Sequence, residues 1–195
     1  LYQDNEAWTW EHMALTRAQV ISSSPEFGAR IERVIRDVLT RPRDAGLTAN
    51  DVAEMRRAIA LEKGEGDIWD LKYAAGGMVD IDFIAQYLQL IHAADKPDIL
   101  SVNTQQALDN AQRLGILSLP DAEILRPAAR LYHDLTQILR LCVSDKFKPD
   151  TVGDDLLRVL ARAGDVPDFS ALEARVREIQ ADVRGVFLRL MESRT

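Results

Sequence analysis

The chain has 195 residues, a formal net charge of −7, a pI near 5.0 and a single cysteine. A chain of this size buries roughly 70% of its unfolded surface and folds without staples. The acidic balance argues against a nucleic-acid partner, the lone cysteine excludes an internal disulfide and fits a reducing cytoplasm, and no apolar run approaches the roughly 20 residues that a membrane span needs.

The chain starts at Leu1 and runs straight into EAWTWEHMALTRAQV. This opening has no basic flank followed by an apolar run, and Glu6 and Glu11 interrupt it, so it is not a targeting segment. It reads as a helix beginning almost at the first residue, and the expectation is an excised domain with something before Leu1. Ser24-Pro25-Glu26 opens the next helix with a capping hydroxyl, a first-position proline and an acid at the positive end. Phe27, Ile31, Val34, Ile35, Val38 and Leu39 form its apolar stripe, and Pro42 closes it. Arg30, Arg33, Arg36, Arg41 and Arg43, interleaved with Glu26, Glu32, Asp37 and Asp44, read as a solvated, ion-paired face. Thr48 with Asp51 predicts the cap of a third helix, with Val52, Met55 and Ile59 inward and Gly64 at its end.

Residues 64–77, GEGDIWDLKYAAGG, break the pattern. Four glycines predict an irregular loop, and Ile68, Trp69, Leu71 and Tyr73 predict that it is packed down. Met78 to Ala94 is apolar on most sides and reads as a central helix. Asn103 to Leu114 is a shorter helix ended by Gly115. Ser118 to Ser144 reads as a long helix that Pro127 kinks or splits, with Cys142 as a small buried thiol. A short helix around Asp154–Ala163 stops at Gly164. The last helix has Ser170 and Glu173 as a capping box, and a seam of Leu172, Val176, Ile179, Val183, Val186 and Leu190 that packs within the bundle. The fold class is all-α: a helical bundle of about seven or eight helices with short loops.

Few residues invite chemistry. Asp80-x-Asp82 has the spacing of a metal-binding acid pair, but that geometry relies on a strand. On a helix, at about 100° per residue, the two side chains point some 200° apart. The plainer reading sets Asp80 at the positive helix end and gives Asp82 a local contact. Lys72 with Gly76-Gly77 before a helix N-terminus offers a phosphate-holding arrangement. The plainer reading is a tight loop whose lysine pairs with Asp80 or Asp70. His12, His92 and His133 lack a partner at metal-ligand spacing. Trp8, Trp10 and Trp69 read as core or interdomain packing. No residue is assigned a catalytic or metal-binding role.

Two stretches together resemble a known family. EAWTWEHMALTRAQV is similar to the WEHxALxRAR stretch of bacterial glutamate–ammonia ligase adenylyltransferases, which adenylylate glutamine synthetase. DLKYAAGGMVDIDFIAQYLQLIHA is similar to that family's DIKxxxGGxxDIEFIxQYLxL segment. EMRRAIALEK between them and the later NT…AL…LG…L region also fit. The wording resembles the carboxyl, adenylylating half of that two-part enzyme more than the amino half, which removes AMP.

The resemblance implies that residues 1–20 are the tail of an upstream nucleotidyltransferase domain and residues 21–195 a helical domain. It places the metal-binding acids before Leu1, so Mg and ATP belong to the parent nucleotidyltransferase, and the fragment alone is inactive and needs no cofactor. By motif position, Lys72, Gly76, Gly77, Asp80, Asp82 and Gln86 become candidates for lining the nucleotide cleft, with the GGMVDIDF turn facing it. The implied partners are glutamine synthetase, the PII signalling protein and the upstream domain, in the cytoplasm. Gln19 departs from the family's arginine, and Asp82 from its glutamate. The alternatives are a regulatory module receiving the PII or glutamine signal, or the helical region of a PII uridylyltransferase.

Overall fold

The computed structural model describes residues 7–192. The expectations about Leu1 and Glu6 lie outside that range. Eight α-helices and two short 3₁₀ turns are the regular elements of the described residues, and no strand occurs among them. The helices are α1 (Thr9–Leu15), α2 (Pro25–Leu39), α3 (Ala45–Lys63), α4 (Met78–His92), α5 (Thr104–Arg113), α6 (Leu119–Cys142), α7 (Asp154–Ala163) and α8 (Phe169–Glu192). No helix among the described residues is long and apolar enough to cross a membrane.

The first helix is shorter than its sequence predicts. After Leu15 the N–H groups of Thr16, Arg17 and Ala18 bond three residues back, and the Thr16 hydroxyl donates to the Met13 carbonyl at 2.7 Å. These tighter bonds end the helix and turn the chain into an irregular link to α2. Met13 is buried in the core, and the Thr9 hydroxyl donates to Asp51 of α3. Asp51 therefore ties α1 to α3 and does not cap α3 with Thr48. The cap is Asp44, which accepts the Leu47 N–H at 2.8 Å, while Thr48 lies buried one turn inside. Arg43 donates to the Val38 and Leu39 carbonyls, closing the C-terminal end of α2.

The central helix is α4, packed by α1, α3, α5, α6 and α8. Ile81, Ile84, Tyr87, Leu88 and Leu90 are all nearly inaccessible, as a helix apolar on most sides requires. The long helix α6 runs unbroken through Pro127. Leu125, Ala128, Leu131, Tyr132 and Leu135 are buried on either side of it, and that packing outweighs the lost backbone bond. Its last residue, Cys142, is exposed, not buried. In α8 the cap is Asp168, which accepts the Ala171 N–H at 2.8 Å; Ser170 lies inside the first turn. Its seam packs within the bundle as expected, with Leu172, Val176, Val183 and Val186 wholly inaccessible.

One apolar stripe departs from expectation. On α2, Val38 and Leu39 are buried, but Phe27 and Val34 are each 56% exposed. That helix packs chiefly on α1.

Candidate functional site

The loop 64–77 is packed down, as its apolar residues require. Trp69 and Leu71 are buried; Trp69 stacks on Phe169 at 5.0 Å and meets Phe147 edge-on at 5.1 Å. Its indole N–H donates to Glu173 of α8, and the Gln180 amide donates to the Ile68 carbonyl at 2.8 Å. The loop is thereby fastened along one side of α8.

At its end stands Asp80, the third residue of α4 and wholly inaccessible. One carboxylate oxygen accepts from Nε of the buried Arg56 on α3. The other accepts the Gly76 N–H at 2.7 Å and faces Arg184 of α8 at 3.3 Å. Arg56 also donates to the Tyr73 and Ala74 carbonyls at 3.1 and 3.2 Å and pairs with Glu65 at 3.3 Å. The Tyr132 hydroxyl of α6 donates to the Gly76 carbonyl at 3.0 Å, and burial, aided by the charge of Asp80, raises its pKa. Helices α3, α4, α6 and α8 thus converge on one turn. Removing either charge of such a buried pair strands the other, at a cost of about 3–5 kcal/mol.

The two glycines serve that turn. Gly76 has φ +76°, and a Cβ there would lie 1.8 Å from the Gln180 carbonyl oxygen of α8. A Cβ at Gly77 would lie 2.7 Å from the Leu71 carbonyl oxygen. Backbone approaching backbone this closely admits only glycine.

The six motif residues do not form one cluster. Gly76, Gly77 and Asp80 are buried among the chain's own groups. Lys72 is exposed, its amine 4.7 Å from the Tyr73 ring centre, at a groove of about 430 Å³ shared with Arg140 and Lys146. Asp80 takes its positive partners from Arg56 and Arg184, not from Lys72. Gln86 is half-buried further along α4. Asp82 points away from Asp80: it accepts from the Thr104 hydroxyl at 2.6 Å and pairs with Arg17 at 3.0 Å. Divergent and already neutralised by three arginines, Asp80 and Asp82 do not fit a shared magnesium ion.

Arg56, Tyr132, Gln180 and Arg184 were not singled out by sequence reasoning. Arg56 had a signal: it lies four residues after Val52 and three before Ile59, on the buried stripe of α3, where a cation demands a carboxylate partner. The other three are fixed by long-range packing and have no local signature.

Residues 47–191 match the family model described as GlnD PII-uridylyltransferase, and residues 1–34 match the model described as Glutamate-ammonia ligase adenylyltransferase. A relative from Rhodopseudomonas palustris (strain HaA2) is 78% identical over 97% of this chain and is named "Bifunctional glutamine synthetase adenylyltransferase/adenylyl-removing enzyme". Relatives of the same name from Bradyrhizobium diazoefficiens and Xanthobacter autotrophicus are 75% and 52% identical over 98% of it. The chain belongs to the family that the first of these models describes, and it corresponds to a portion of glutamine synthetase adenylyltransferases.

It spans about 19% of the length of these adenylyltransferases. The two matched models meet between residues 34 and 47, around the α2–α3 junction. The Arg17–Asp82 pair therefore joins the two stretches that carry the family resemblance, one on each side of that junction.

Proposed function

We propose that this chain is the helical domain behind the catalytic domain of a glutamine synthetase adenylyltransferase. In the cytoplasm it supports the ATP- and magnesium-dependent transfer of AMP to glutamine synthetase in nitrogen regulation. Its own role is to hold and orient. Residues up to about 20 are the tail of the catalytic domain, and the rest is the domain on which that tail sits. The observation that carries this reading is the Arg17–Asp82 pair, which anchors the tail to α4, while Asp80, two residues earlier, ties α4 to α3 and α8, and Tyr132 of α6 holds the Gly76 carbonyl beside it. Phosphoryl and nucleotidyl transfer depend mostly on positioning and charge neutralisation, so a rigid support contributes directly to rate.

Gly76, Gly77 and Asp80 serve this support from inside. The magnesium ligands lie outside this chain. Lys72 presents an exposed cation beside a groove, and we assign it a contact with the phosphates of ATP. In the whole enzyme, Lys72→Ala raises the KM for ATP several-fold and leaves the melting temperature unchanged. An unaltered ATP dependence removes that role. PII protein binding to this segment, together with an unaltered ATP dependence, favours a regulatory module in its place.

A further inference from the structure

The stripe Phe27, Ile31, Val34 follows steps of four and three on α2 and faces one way. Its sequence is that of a buried helix face, yet Phe27 and Val34 are more than half exposed, and Ile31 is only partly covered. Trp8 and Trp10, at the start of the neighbouring α1, are 70% and 56% exposed, and Ile21 in the link between the helices is 90% exposed. The groove of about 540 Å³ between α1, α2 and residues 100–102 lies on a different side of α2, lined there by Ala29, Glu32 and Arg36, and is not part of this stripe. Other large aliphatic residues are exposed along the chain, Leu61 and Leu141 among them, but the exposed aromatic residues Trp8, Trp10 and Phe27 all fall within residues 8–34, and exposed aromatic side chains mark a contact surface.

Two observations say what covers it. The exposed stripe lies within residues 1–34, which match the adenylyltransferase model, whereas residues 47–191 match a different one. The chain also spans about 19% of its relatives' length, so most of such an enzyme is outside this structure. We infer that α1 and α2 are the seat of the proposed catalytic domain, which lies outside this structure, and that Trp8, Trp10, Phe27 and Val34 are its apolar contacts. This rests on the reading of the chain as the support of that domain. It adds α1 and α2 to the interdomain contact, since α8 covers Gly76 of the GGMVDIDF turn and leaves Lys72 exposed. An interface of this kind within one chain typically buries roughly 600–1,500 Å².

Hydroxyl-radical footprinting of the whole adenylyltransferase tests this, with residues of the same type as internal standards. Trp69 and Phe147 are 8% and 7% exposed and set the rates for covered side chains. The expected result is that Trp10 and Phe27 are modified no more than about twofold faster than Trp69 and Phe147, independently of enzyme concentration. Val34→Asp then raises the Trp10 rate several-fold and leaves Trp69 protected. Modification of Trp10 and Phe27 several-fold faster than their standards in the unaltered enzyme overturns the assignment. So does protection that disappears on dilution, which would make a second copy the occupant. The readout does not depend on AMP transfer, so lost transfer with Trp10 still protected counts against the proposed function and not against this surface.

Discussion

At the scale of single residues the structure turns on Asp80. Its carboxylate is buried, yet two guanidinium groups and a backbone N–H surround it. Asp80→Asn keeps the shape and removes the charge that Arg56 needs. The expected loss is about 3–5 kcal/mol of stability, read as a lower urea midpoint with an unchanged slope. Gly76→Ala is expected to cost more than the usual glycine replacement, because its Cβ meets the α8 backbone and not a yielding side chain. A fall of several degrees in melting temperature is the outcome to check. An unchanged melting temperature for either variant would mean that the turn is not the junction of the four helices.

At the scale of elements, the loop 64–77 is held at both ends. At its near end Asp67 accepts the Trp69 N–H at 3.0 Å and pairs with Lys146 at 2.9 Å. Burial pushes its pKa up, but the Lys146 and Trp69 hydrogen bonds outweigh that and leave it below the ordinary value of 3.8. A carboxyl with a depressed folded pKa stabilises at pH above its unfolded value and loses that contribution as pH falls through the folded one. The protein should therefore lose stability on acidification below about pH 4, and Asp67→Asn should flatten part of that slope when melting temperatures are followed between pH 6 and pH 3.

Most helices were legible because apolar spacing and turn residues act locally. The limits of α7, the glycine stops and the central place of α4 all follow from the chain's own pattern. The caps of α3 and α8 were misplaced because two acceptors competed within one turn: Asp44 prevailed over Thr48, and Asp168 over Ser170. The packed loop was legible from Trp69 and Leu71. Its clamp was not, since Asp80 meets Arg184 across 104 residues and Gly76 meets Tyr132 across 56. The divergence of Asp80 and Asp82 was legible from helical geometry alone.

At the scale of the whole molecule, the described residues form a bundle closed around α4 and open on the outer side of α2. The buried charges are committed to holding the turn before α4, and the exposed aromatic residues Trp8, Trp10 and Phe27 lie in the stretch that matches the adenylyltransferase model. On the proposed function, such a molecule supports chemistry that its own side chains do not perform. The most direct check is AMP transfer from ATP to glutamine synthetase, measured in parallel for residues 1–195 alone, for the whole adenylyltransferase and for the whole enzyme with this segment deleted. No transfer by residues 1–195, transfer by the whole enzyme, and at least a tenfold loss on deletion are expected. Transfer by residues 1–195 alone, or an undiminished rate without them, would contradict the proposed function.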